Sequence, residues 1–174
     1  TYVRALLGCH IGCLYMGIFL YADDLILLSA SISDLQKMVD ICMQELRNLN
    51  MKVNPEKSKC VRVGKNFDSD CVKILIDGTP IAWSSSMNYL GITLKSSSKF
   101  CVDFKSAKSK FYTAFNTIFS KISNANEDLI VSLIKTHCNP VLMYSLEALN
   151  LNASDLRALD LPMFRAFAKI FKTF

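Results

Sequence analysis

No run of apolar residues in this 174-residue chain is long enough to cross a membrane. The longest near its start, about a dozen residues ahead of Asp23, falls well short of the ~20 that a spanning helix needs. Thr1-Tyr2-Val3-Arg4 does not have the make-up of a signal peptide. The seven cysteines, Cys9, Cys13, Cys42, Cys60, Cys71, Cys101 and Cys138, include no pair at zinc-knuckle spacing, and their number is odd. The scattered, odd-numbered cysteines point to a reducing, intracellular compartment, nucleus or cytoplasm, and no membrane partner is expected. No acidic residue precedes Asp23, and the first residue is not Met, so the chain reads as a fragment or a truncated reading frame.

What is present is a globular composition. With 51% hydrophobic residues the chain can build a core, as one domain or as two small ones. Cys9, His10 and Cys13 lie close in sequence, and His137-Cys138 is a further pair. At alternating strand positions such residues read as small core side chains rather than metal ligands. The formal net charge is +5 and unevenly spread. Residues 1–50 carry three Lys/Arg against five Asp/Glu, residues 51–98 seven against four, and residues 99–174 ten against six. The downstream excess suits a nucleic-acid backbone as partner.

One stretch organises the rest: Phe19-Leu20-Tyr21-Ala22-Asp23-Asp24-Leu25-Ile26-Leu27-Leu28. Two adjacent carboxylates interrupt an apolar run, and buried charges are costly unless compensated. The pattern predicts a hairpin, with strands Tyr15 to Leu20 and Leu25 to Ser29 and a tight turn at Ala22 to Asp24. The turn lifts both carboxylates to a sheet edge, where they can hold a hard divalent cation.

Tyr21-Ala22-Asp23-Asp24 between two apolar strands resembles the catalytic hairpin of reverse transcriptases. Its flanks, Gly8-Cys9-His10-Ile11-Gly12 and Leu25-Ile26-Leu27-Leu28-Ser29, are similar to those of non-LTR (LINE-type) retrotransposon polymerases. The resemblance implies that Asp23 is the principal ligand for Mg²⁺ or Mn²⁺ and Asp24 an auxiliary one. It implies also that Tyr21, with Ala22, packs beneath the nucleotide or primer end. In that family the segment ahead of the hairpin carries a further metal-binding Asp. Only 22 residues precede Asp23, and none is acidic, so the isolated chain is expected to be inactive.

Residues 1–30 read as a short helix end followed by strand, turn and strand. Gly8, Gly12 and Gly17 punctuate them for close backbone approach. Ser33-Asp34-Leu35-Gln36 has the form of a capping box, and Leu35, Met38, Val39, Cys42, Leu46 and Leu49 predict one buried helical face. Asn54-Pro55 marks a turn inside a basic stretch with Lys52, Lys57, Lys59, Arg62 and Lys65. Asn54-Pro55-Glu56-Lys57-Ser58 resembles the family block Asn, two residues, Lys-Ser/Thr. That implies a Lys57 that protonates the leaving pyrophosphate or contacts the incoming triphosphate. A solvated basic turn is the plain alternative.

Asp77-Gly78 predicts a hairpin between Val72 to Ile76 and Thr79 to Trp83. Met87 to Leu94 reads as a strand with Gly91 at its centre. Its Tyr89-Leu90-Gly91 resembles the family's primer-grip strand, which implies contact with the primer end; an ordinary buried strand is the alternative. Lys95-Ser96-Ser97-Ser98 is a polar break, and helices follow it. Phe100, Phe104, Ala107, Phe111, Phe115, Ile118 and Ile122 predict a core stripe, and Lys99, Lys110 and Lys121 a second stripe on the same helix. Family likeness places that helix along the template–primer duplex. A second helix is capped by Asn124 or Asn126, buries Leu129, Ile130, Leu133 and Ile134, and is kinked or ended by Pro140. A third runs from Ser154-Asp155 through Leu156, Leu159, Phe164, Phe167 and Ile170-Phe171, with Arg165, Lys169 and Lys172 adding positive charge.

The resulting expectation is an α+β chain. Residues 1–98 form the C-terminal half of a polymerase palm, and residues 99–174 a helical thumb-like region. Its partners are an RNA template, a DNA primer, deoxynucleoside triphosphates and an upstream fingers-and-palm segment. A non-catalytic nucleic-acid-binding remnant is the second reading, and an unrelated α+β protein with a chance Asp-Asp turn the third.

Overall fold

The computed structural model describes residues 7–173. The helix end expected at the start of the chain falls largely outside them. The class is α+β, and the chain divides into two compact units, Thr1–Cys101 and Val102–Phe174. No helix among the described residues is long and apolar enough to cross a membrane.

The first unit is built on short antiparallel hairpins. His10–Ile11 (β1) pairs with Leu14–Tyr15 (β2), and Ile18–Tyr21 (β3) with Asp24–Leu27 (β4). Ile74–Ile76 (β5) pairs with Thr79–Ile81 (β6), and Ser86–Tyr89 (β7) with Ile92–Lys95 (β8). Cys101–Asp103 (β9) continues the last sheet beside β8 as the chain leaves this unit. Tyr15 therefore belongs to an earlier hairpin, not to the strand leading into Asp23. The break comes at Met16-Gly17, where a Cβ on Gly17 would lie 2.4 Å from the Tyr15 hydroxyl. Only glycine leaves room for that ring.

Turn chemistry sets two of these hairpins. Asp77 and Gly78 both take positive φ, 48° and 77°, as a type I′ turn requires. Leu90 and Gly91 do the same, at 46° and 80°. Gly91 is thus the second residue of a turn, not the centre of one continuous strand. Glycine adopts left-handed φ without a Cβ penalty, so the chain reverses there. Val72 stands outside the sheet and is 77% exposed.

One helix, Ile32–Asn48 (α1), organises this unit's core. Its cap is Ser31, whose side chain accepts from the Asp34 amide, so the box expected at Ser33 lies inside the first turn. The serine with extended backbone, φ −122° and ψ 136°, is the one placed to cap. Met38, Val39 and Met43 are buried, Leu35, Cys42 and Leu46 half-buried, and Leu49 exposed. The core joins Val39 and Met43 to Ile74, Ile76 and Ile81, ringed by Leu27, Ile32, Leu35, Val53, Cys60 and Trp83. Gln36 ties α1 to β5: its Oε1 accepts from Leu75 N at 2.8 Å and its Nε2 donates to Leu75 O at 2.9 Å. Arg47 makes an ion pair with Asp77 at the turn of the same hairpin.

The second unit is helical: Lys105–Ile122 (α2), Glu127–Leu133 (α3), Asn139–Met143 (α4) and Ala153–Ile170 (α5). Its core gathers Phe111, Phe115, Ile130, Ile134, Cys138, Leu142, Leu159, Ala166 and Ile170. Phe104 is the N-cap of α2, while Phe100 lies ahead of β9 and is 65% exposed. Asn126 caps α3, accepting from Asp128 N at 2.9 Å. Leu129 faces outward. Pro140 does not end the helix. A π turn, Ile134–Cys138, joins α3 to α4, and the Asn139 amide bonds Ile134 O across it. That wider turn accommodates a residue that has no N–H to give. Asn152 and Asp155 form a reciprocal capping box that starts α5 earlier than expected. Pro162 is buried within α5, whereas Leu156, Phe164 and Phe171 are exposed. Of the seven cysteines only Cys138 is fully buried, and Cys13 and Cys101 are exposed, so the small-core reading holds in full for one.

Candidate active site

The β3–β4 register pairs Tyr21 with Asp24, leaving Ala22-Asp23 as a two-residue loop. Asp23 sits at the tip and Asp24 is the first residue of β4. Ala22 has φ 53°, and positive φ at the first central residue alone is the mark of a type II′ turn. That position favours glycine. An alanine there carries strain of about 1–2 kcal/mol. The hairpin base is held by Leu28 N donating to Gly17 O at 2.8 Å and by Leu27 packing against the α1 core. Beyond that anchor, Leu20 is 71% and Tyr21 62% exposed.

Asp23 and Asp24 are both exposed, and neither carboxylate is hydrogen-bonded or ion-paired among the described residues. Adjacent, unspent, hard oxygen donors suit Mg²⁺, which binds through one or two carboxylates and keeps water and phosphate in its shell. The donor chemistry therefore fits a divalent ion. Among the described residues no group of three or more His, Cys, Asp or Glu could hold one.

Lys57 lies in a separate loop. Asn54 Oδ1 accepts from Glu56 N at 2.9 Å and from Lys57 N at 3.3 Å. Asn54 O accepts from Ser58 N at 3.1 Å and from Ser58 Oγ at 2.8 Å. Residues 54–58 are thus one closed helical turn with the Lys57 side chain exposed. Arg62, counted with the basic stretch, is otherwise occupied. Its guanidinium donates to Phe67 O at 3.2 Å and to Ser69 O, and lies 5.3 Å from the centre of the Trp83 ring. It staples a loop and is not free for a phosphate. Beside it, burial and then the neighbouring Cys71 push the Cys60 thiol pKa up.

Tyr89, Leu90 and Gly91 form the β7–β8 turn, in a different sheet from Asp23 and Asp24. Leu90 takes φ 46°, a costly conformation for a branched side chain. The lysine stripe is corrected. Lys99 lies ahead of β9 and off the helix, so only Lys110 and Lys121 remain on α2. Eleven residues apart, these two share a face at ~100° per residue. Lys105 and Lys108 add charge to a helix with no acidic residue. Lys169 of α5 is exposed and lies along the α2 surface, its ammonium 4.9 Å from the Phe119 ring centre and 3.4 Å from Asn116 Oδ1.

Sequence reasoning missed Gln36, the ties of Arg62, and the contact of Lys169 with the α2 rings. Gln36 and Lys169 depend on partners remote in sequence, and Arg62 joins carbonyls five and seven residues on to the distant Trp83 ring; no local pattern marks any of them.

Residues 7–94, half of the chain, match the family model described as reverse transcriptase (RNA-dependent DNA polymerase). No curated protein and no solved structure matches the chain.

Proposed function

The chain belongs to the reverse transcriptase family, and from that premise we propose that it is the latter half of the palm and the thumb of a non-LTR (LINE-type) polymerase. In the whole enzyme it helps to extend a primer on an RNA template with deoxynucleoside triphosphates. The observation that carries this is the strained Tyr21-Ala22-Asp23-Asp24 turn, which lies inside the matched residues and presents two unspent carboxylates.

In this reading Asp23 is the principal metal ligand and Asp24 the auxiliary. A bound pair of Mg²⁺ or Mn²⁺ ions supplies charge neutralisation at the attacking and leaving oxygens. Tyr21 and Ala22 lie beneath the nucleotide or primer end. Lys57 meets the triphosphate or protonates the departing pyrophosphate. Tyr89, Leu90 and Gly91 approach the primer, where a glycine-containing turn brings backbone close. Lys110 and Lys121 run along the duplex, with Lys99 contributing from outside the helix.

A two-metal site needs a further carboxylate from another strand. None joins Asp23 and Asp24 among the described residues. The 174-residue chain by itself therefore binds Mg²⁺ weakly and extends no primer. A second reading, a nucleic-acid-binding remnant without catalysis, is favoured by the four lysines and no acids of α2. One assay separates them: primer extension on an RNA template by the chain alone and by the chain joined to an upstream fingers-and-palm segment. The catalytic reading expects extension only by the joined form, abolished by Asp23→Ala. Extension that survives Asp23→Ala ends the catalytic reading of the hairpin. Duplex binding without extension by the joined form supports the remnant.

A further inference from the structure

We infer that Asn54 is a positioning residue for Lys57, holding it to present its ammonium to the polyphosphate of a nucleotide or to free pyrophosphate. The inference rests on the reading of Lys57 given above. Four hydrogen bonds converge on Asn54 from the three residues 56–58: Glu56 N at 2.9 Å and Lys57 N at 3.3 Å on its side-chain oxygen, Ser58 N at 3.1 Å and Ser58 Oγ at 2.8 Å on its carbonyl. Pro55 fixes φ at the step between. Asparagine is suited to this because its short side chain reaches amides two and three residues on.

The consequence for an anion is specific. The amides of Glu56 and Lys57 are already used by Asn54, so they offer no backbone cradle for phosphate. The donor the turn presents is the Lys57 ammonium, exposed and without a hydrogen bond or ion pair among the described residues. A lysine is a flexible point charge, and its usefulness depends on where its backbone is held. Without the Asn54 side-chain oxygen two of the four bonds are lost, the turn loosens between residues 54 and 57, and the ammonium loses its fixed base. Ser58 closes the other end of the same turn.

The test titrates inorganic tripolyphosphate into the 174-residue chain at low salt. Affinity is read from the Lys57 amide shift and, for variants lacking that signal, by calorimetry. Lys57→Ala reports whether Lys57 meets the anion. Asn54→Ala should weaken binding by up to about fivefold, the full equilibrium effect of losing one typical cap. Asn54→Ser keeps a neutral capping oxygen and should recover most of that loss. Asn126→Ala removes a cap of the same kind from α3 and should leave affinity unchanged, which separates positioning from general loosening. Unchanged or tighter binding in Asn54→Ala, with Lys57→Ala weakened, overturns the inference and leaves the reading of Lys57 standing. Loss in Asn54→Ala that Asn54→Ser does not recover also overturns it. Wild-type affinity in Lys57→Ala removes the reading of Lys57 and the inference together.

Discussion

Gln36→Ala should loosen the first unit by an amount that can be worked from its contacts. The side chain accepts from Leu75 N at 2.8 Å and donates to Leu75 O at 2.9 Å, pairing with the β5 backbone as a strand would. The same amide nitrogen also lies 2.8 Å from Asp40 Oδ1. A hydrogen bond contributes about 0.5–1.5 kcal/mol net, and these are exposed enough for water to replace the lost partner. The low half of that range applies to each, so the pair with Leu75 is worth about 1–2 kcal/mol. The chain has a single tryptophan, and Trp83 packs against this unit's core, so its fluorescence reports this unit. In urea, with a slope of about 1.5–2 kcal/mol per molar, the midpoint should fall by roughly 0.5–1.3 M. Gln36→Glu keeps an acceptor for Leu75 N but loses the donor and sets a like charge beside Asp40, so it should also be destabilised. A Gln36→Ala midpoint within about 0.2 M of the parent would show that the pairing contributes nothing, because even one such bond should move it further.

Ala22→Gly should be neutral or raise stability by about 0.5 kcal/mol: relief of left-handed strain, ~1–2 kcal/mol, outweighs the entropy of a freer unfolded chain, ~0.4–1 kcal/mol. A loss near the ~1 kcal/mol seen for such a change in a helix would refute the type II′ turn. Lys110→Ala and Lys121→Ala should each flatten the slope of log affinity for duplex against log salt by about 0.9, and Lys169→Ala, whose exposed ammonium lies over Phe115 and Phe119, should lower the stability of the second unit. Unchanged stability in Lys169→Ala would mean that its contact with the two rings contributes nothing. Alkylation of Cys60 should lag that of exposed Cys13 at about pH 8, because the thiolate reacts and burial, then Cys71, raises the Cys60 pKa. Raising the pH should restore the Cys60 rate, and Cys71→Ser should move its profile part of the way down. Equal rates at about pH 8 would refute the raised pKa.

Much of the first unit's local structure was readable without coordinates, because it depends on neighbours in sequence. Asp77-Gly78 specifies a type I′ turn by the φ values those two residues tolerate. Tyr21-Ala22-Asp23-Asp24 between apolar runs announces a hairpin, and threefold and fourfold spacing announces α1, α2 and α5. The same spacing could not say which residues of a face lie deepest. Met43 is buried and Leu49 exposed because β5 and β6 cover the middle of α1 and not its end. Lys99 fell off the helical stripe because the chain first makes β9, a pairing the lysine spacing does not contain. Pro140 was expected to kink or end its helix; it does not end it, and the π turn before it absorbs the missing N–H.

What the sequence alone determined, then, is the turn that carries Asp23 and Asp24, the closed turn around Lys57, and the alternation of short hairpins with amphipathic helices. Each follows from bonds and periods spanning no more than a few residues. Only the tertiary structure decided which partners the charges find. Arg62 is drawn over Trp83, Lys169 over Phe115 and Phe119, and Arg47 to Asp77. Gln36 finds the backbone of a residue 39 positions away. These partners meet only because buried apolar faces bring distant segments together, and no local pattern encodes where such faces will meet.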